Sequence, residues 1–120
     1  MTELASTLTL REIASQAAQA IAVLNDLTHA GGELSNPDDV RAIVRSLEHI
    51  GQGLPQLCEQ LARFLVVQLE DGQLTNAGGL DSDDSVTEVI EALAAAGQAA
   101  DMMTAALTEA RAASQTLTPR

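Results

Sequence analysis

The sequence predicts an all-α protein from its composition, its helix start and stop signals, and its apolar spacing. Of its 120 residues 46% are apolar, and 21 Ala and 17 Leu supply most of that share. Both are strong helix formers, whereas strands favour the β-branched and aromatic residues that are scarce here. The expected architecture is an elongated up-down bundle of three long helices near 9–30, 37–71 and 85–116, with short tails at 1–8 and 117–120. One domain spanning 1–120 is expected, since compact domains usually hold about 100–150 residues. The middle helix is expected to kink at Gly51–Pro55. A four-helix bundle divided at that point is the alternative.

The first helix opens on Thr9-Leu10-Arg11-Glu12, a capping box in which the threonine oxygen accepts from the third helical N–H and the glutamate reaches back. Its apolar residues Leu10, Ile13, Ala17, Ala20, Leu24 and Leu27 step by three and four, so one face is apolar. Gly31-Gly32 marks its end.

The middle helix opens on Asn36-Pro37-Asp38-Asp39, a capping residue before proline, with two acids at the positive helix end. Gly51-Gln52-Gly53-Leu54-Pro55 looks like an interruption. Yet Val40, Ile43, Leu47, Ile50, Leu54, Leu57, Leu61 and Phe64 keep one rhythm straight through it, and no capping residue precedes Pro55. One continuous helix is therefore expected, kinked where Pro55 lacks its N–H and crowds the Gly51 carbonyl. Gly72 marks the stop.

For the third helix, Ser85-Val86-Thr87-Glu88 reads as a second capping box. Val89, Leu93, Ala96, Ala100, Met103, Leu107 and Ala110 form its apolar row, and Thr118-Pro119 ends it.

The formal charge of −11 comes from 17 acids against 6 Lys and Arg. It is spread along the chain and opposes contact with nucleic-acid phosphates or anionic membranes. No apolar run approaches the ~20 residues of a spanning helix. The first residues show neither a basic start nor a long apolar core, so a cytoplasmic protein is expected. The single cysteine, Cys58, excludes an internal disulfide and reads as core packing.

No catalytic, cofactor or metal site emerges. The stretch Asp81–Ser85 lacks the Gly and Glu of a calcium loop, having Val86 and Ala92 in those positions, and serves as helix-start charge. His49 points away from the apolar row and His29 lies near a helix end, so no ligand set converges. Arg41 pairs with Asp38, Arg45 with Glu48 and Arg63 with Glu59 along their own helix, which reads as a solvated face. Gly31-Gly32 and Gly78-Gly79 are turn residues, without the strand or the lysine of a phosphate loop.

One segment is too apolar for a free surface. Leu61–Leu69 places Leu61, Leu65 and Leu69 toward the core and leaves Phe64, Val66 and Val67 as candidate interface residues. The expectation is a non-catalytic protein–protein interaction or oligomerisation module, binding a protein partner or itself as a homodimer. No small-molecule substrate or cofactor is implied, and no membrane partner. The alternative is an acidic regulator that sequesters a basic partner, antitoxin-like or DNA-mimicking.

Overall fold

The computed structural model describes residues 8–74 and 82–118. All regular structure among them is helical: α1 (Leu10–Thr28), a short 3-10 turn (His29–Gly31), α2 (Pro37–Glu70) and α3 (Ser82–Ser114). The all-α class is as the composition predicts. The chain falls into two compact units, Met1–Asn36 and Pro37–Arg120. No described helix is long and apolar enough to cross a membrane.

The described part of the first unit holds α1 and the turn after it. The capping box forms: the Glu12 N–H donates to Thr9 Oγ1 at 3.1 Å, and the Thr9 N–H donates to Glu12 Oε1 at 3.5 Å. The helix ends as the double glycine implies. Gly32 lies so close to the preceding turn that an added Cβ would stand 1.8 Å from the Leu27 carbonyl oxygen. Among the described residues of this unit, α1 has no second α-helix against which to bury its apolar row.

The second unit is a helical hairpin. α2 runs unbroken from Pro37 to Glu70 with Pro55 inside it, so the four-helix division does not occur. The unbroken apolar rhythm through 51–55 is the reason: one helix keeps each row in phase along its whole length. α2 stops at a Schellman motif. Gly72 has φ of +70°, its N–H donates to the Leu69 carbonyl at 3.1 Å, and the Gln73 N–H donates to Gln68 at 2.9 Å.

α3 begins at Ser82, one turn earlier than expected, so Ser85 lies inside the helix and does not cap it. Asp83 and Asp84 occupy the first turn, where carboxylates oppose the positive end of the helix dipole. Gly78-Gly79 and Asp81 lie outside the described residues.

α2 and α3 pack antiparallel. Arg41 reaches Ser114, Glu48 reaches Thr108 and Arg111, Gly51 faces Thr104, and Gly97 faces Pro55. As residue numbers rise on one helix they fall on the other.

Candidate functional site: a two-faced helical hairpin

The seam between the helices follows a spacing of three and four on each strand of the hairpin. On α2 the residues turned toward α3 are Val44, Glu48, Gly51, Pro55, Cys58, Ala62, Leu65 and Leu69. On α3 they are Val86, Ile90, Leu93, Gly97, Ala100, Thr104, Leu107, Arg111 and Ser114. All are buried or half-buried. That spacing averages 3.5 residues per turn, the repeat of antiparallel coiled-coil packing.

This seam differs from the expected core in one respect with large consequences. The row Val40, Ile43, Leu47, Ile50, Leu54, Leu57, Leu61 and Phe64 is not the one α3 covers. The seam lies one residue further round the helix, about 100° away. Its centre is built from small residues, because Gly51, Cys58 and Ala62 opposite Ala100 and Gly97 let the backbones approach closely. An added Cβ on Gly51 would stand 2.2 Å from Thr104 Oγ1, and one on Gly97 would stand 3.4 Å from the Pro55 Cα. Bulky leucines cannot occupy that space, so they are left on the flank. Leu57 is 49% exposed, Leu61 50% and Phe64 60%.

At the open end of the hairpin the seam is polar. Glu48, only 5% exposed, accepts from Arg111 Nε at 2.5 Å and from Thr108 Oγ1 at 2.8 Å. The hydrogen bond from Arg111, then that from Thr108, hold its carboxyl below the ordinary value of 4.5, against the opposing effect of burial. The Arg111 guanidinium is correspondingly raised by Glu48. The expected Arg45–Glu48 pairing is thus replaced by a bond between helices.

Arg41 acts similarly. It pairs with Asp38 as expected, and also donates to the carbonyls of Ser114 at 2.5 Å and Leu117 at 3.0 Å. A cation there suits carbonyls at the negative end of α3, and the Ser114 carbonyl also accepts from the Leu117 N–H at 3.0 Å. The Arg63–Glu59 pair forms at 2.6 Å between exposed side chains. These contacts account for the arginines Arg41, Arg63 and Arg111 structurally.

The seam separates two flanks of opposite character. One position after each seam residue, α2 carries Arg45, His49, Gln52, Gln56, Glu59, Arg63, Val66 and Glu70. The matching α3 positions include Glu91, Gln98, Asp101 and Thr108. These two rows share one side of the hairpin. A shallow cavity there is lined by Gln52, Gln56, Glu59 and Arg63 together with Asp101. Beside it a smaller hollow of about 320 Å³ opens over Pro55, Cys58, Ala62 and Gly97.

The other side is apolar from Ile43 to Phe64 on α2 and from Val89 to Ala113 on α3, and only Gln68 and Ser85, near the connection, are polar in the same rows. One position before the seam residues from Val44 to Leu65, α2 carries Ile43, Leu47, Ile50, Leu54, Leu57, Leu61 and Phe64. α3 carries Val89, Ala92, Ala96, Ala99, Met103, Ala106, Ala110 and Ala113. No charged residue interrupts either row between Ile43 and Phe64 or between Val89 and Ala113. An uncharged, contiguous face of this length is unusual on a solvated surface. It is the candidate functional site.

The three residues expected to form an interface are distributed around α2. Phe64 lies on the apolar flank. Val66 follows Leu65 and is half-buried on the polar flank, and Val67, 47% exposed, points outward between them. The structure therefore brings Phe64 together with Leu57 and Leu61, and separates it from the two valines. Among the described residues no three His, Cys, Asp or Glu side chains are grouped so that they could hold a metal ion. Cys58 is half-buried in the seam, in keeping with packing.

The face has two signals in the sequence. The large apolar residues of α2 and the small residues one step further round both repeat at 3.5, and only one row can meet α3. The alanines of α3 supply the second signal, since Ala99, Ala106 and Ala113 recur every seven residues beside Ala92. Comparison with protein-family models, with curated proteins and with solved structures finds no match.

Proposed function

We propose that this chain is a non-catalytic interaction module of the cytoplasm, which works by burying the apolar flank of its helical hairpin against another protein surface. The observation that carries this reading is the uninterrupted row Ile43–Phe64 beside the alanine row of α3. Each half-exposed leucine moved out of water contributes on the order of 1 kcal/mol, at about 25 cal/mol per Å² of apolar area. Ile50, Leu57, Leu61 and Phe64, the exposed large side chains of that row, therefore provide the driving force for association.

The geometry of α2 supports the same reading. A helix with two apolar stripes about 100° apart meets two neighbours, as each helix of a four-helix bundle does. α3 covers one stripe. The other is the stripe that this reading assigns to a partner surface.

The test replaces Leu57 and Leu61 by Glu. Both sit on the flank and outside the seam, so the hairpin should keep its helicity by circular dichroism. The wild-type protein should form a complex of defined mass, observed by chemical cross-linking in extract and by sedimentation of the purified chain, and the variant should not. Equal behaviour of the two proteins in both experiments would overturn the proposal.

A further inference from the structure

We infer that the surface covering this apolar flank is a second copy of the same chain, related by a two-fold axis running along the helices. The inference rests on reading the flank as an interface, and adds what covers it and how. A two-fold dimer uses one patch against itself, so the patch must be self-complementary. This one is. Its α2 half is built of large side chains and its α3 half of alanines relieved only by Val89 and Met103.

Two arrangements of two such faces are possible. A two-fold axis across the helices lays α2 on the partner's α2 and α3 on the partner's α3. Leucine row then meets leucine row, while the two alanine rows leave a gap. A two-fold axis along the helices lays α2 on the partner's α3. Each row of large side chains then faces a row of small ones, the alternation that fills a core without voids or clashes. Both arrangements make every neighbouring pair of helices antiparallel, so the helix dipoles favour each equally and the fit of large row against small row is what decides between them. The product is a four-helix bundle made of two hairpins.

The area is sufficient. From Ile43 to Phe64 the flank is ~32 Å long at 1.5 Å per residue. Two helices side by side at 8–10 Å spacing make it ~20 Å wide. That footprint of roughly 600 Å², increased by side-chain relief, approaches the ~800 Å² per partner of a standard stable interface. Charge does not oppose self-association at this face, since no acid lies in either row between Ile43 and Phe64 or between Val89 and Ala113, and Glu48 in the seam is paired with Arg111.

The test uses the full chain. Sedimentation equilibrium of the wild type should give twice the 12.5 kDa chain mass, and L57E/L61E should give the monomer with unchanged helicity. A96L/A99L enlarges the small row, so it should also dissociate the dimer although it adds apolar surface. Spin labels at position 45 and at position 70, each introduced as cysteine in a C58A background, then distinguish the axes. A two-fold along the helices keeps the copies level, so the two label separations should agree within a few ångströms.

Separations differing by ~20 Å or more would overturn the axis along the helices. A wild-type monomer at millimolar concentration that still binds an apolar dye, lost in L57E/L61E, would overturn self-association and leave the interaction reading standing. A monomer whose dye binding is unaffected by L57E/L61E would overturn both. Dissociation by L57E/L61E alone, with A96L/A99L remaining dimeric, would overturn the packing of large row on small row.

Discussion

Glu48 and Arg111 stand 63 positions apart in the sequence and share a hydrogen bond of 2.5 Å across the hairpin. Their pairing, with Thr108 on the second carboxylate oxygen, makes the polar end of the seam compatible with burial. A buried carboxylate without partners would be strongly unfavourable. The position of this pair also helps define the register of α2 against α3, because a shift of one helical turn would put Leu107 where the Arg111 guanidinium stands.

The pair predicts a pH dependence. The folded-state carboxyl of Glu48 titrates below its ordinary value of 4.5. Its contribution to stability is therefore complete above that value and is lost as pH falls through the lower folded one. Urea unfolding between pH 7 and pH 3 should show falling stability on the acid side, and Glu48→Gln should flatten that part of the profile. An identical acid-side slope in the variant would show that other carboxylates carry the effect.

The small residues of the seam predict a contrast between two glycines. Gly97→Ala places its Cβ in ordinary contact with Pro55, 3.4 Å from Cα, so the better helix propensity of alanine should stabilise the hairpin by about 0.5–1 kcal/mol. Gly51→Ala drives its Cβ to 2.2 Å from Thr104 Oγ1 and should be destabilising. Thr104→Ala should relieve that loss, giving a coupling of about 1 kcal/mol in a double-mutant cycle. Additive effects of Gly51→Ala and Thr104→Ala would contradict the close approach.

Gly72 predicts a local cost. With φ at +70° it closes the Schellman motif at the end of α2. An alanine there meets the left-handed penalty of about 1–2 kcal/mol. Thermal unfolding of Gly72→Ala should show that loss, and Gly72→Asn should recover part of it, since asparagine tolerates this conformation better.

Helix limits and continuity were legible in the sequence because local chemistry sets them. Thr9 and Glu12 cap α1 through bonds three residues apart, and Gly72 ends α2 through its own backbone. What the sequence left ambiguous was which of two rows on α2 meets α3. Ranking residues by hydrophobic size favours the leucine row, whereas close helix packing favours Gly51, Cys58 and Ala62. That choice depends on what α3 presents, which is a tertiary matter. The same reason hid the role of Glu48, whose nearest local arginine is Arg45 and whose actual partner lies on another helix. Ser85 failed as a cap because α3 begins a turn earlier, at Ser82.

Pro55 gives the most direct test of the continuous helix. It lies inside α2, where it supplies no N–H to the Gly51 carbonyl and crowds it. Alanine in a helix interior is about 3 kcal/mol more favourable than proline. One effect offsets part of that gain: the unfolded chain recovers freedom when proline is removed, worth about 0.4–1 kcal/mol. The balance favours the variant. Pro55→Ala should therefore fold with the same or greater helicity and unfold at higher denaturant, with a net gain of about 2 kcal/mol. If residues 51–55 were instead a turn between separate helices, the same substitution would remove a residue pre-set for that turn, and stability would fall. A loss above ~2 kcal/mol in chemical denaturation would exclude the unbroken helix, and with it the single ~32 Å row of large side chains on which the interface depends.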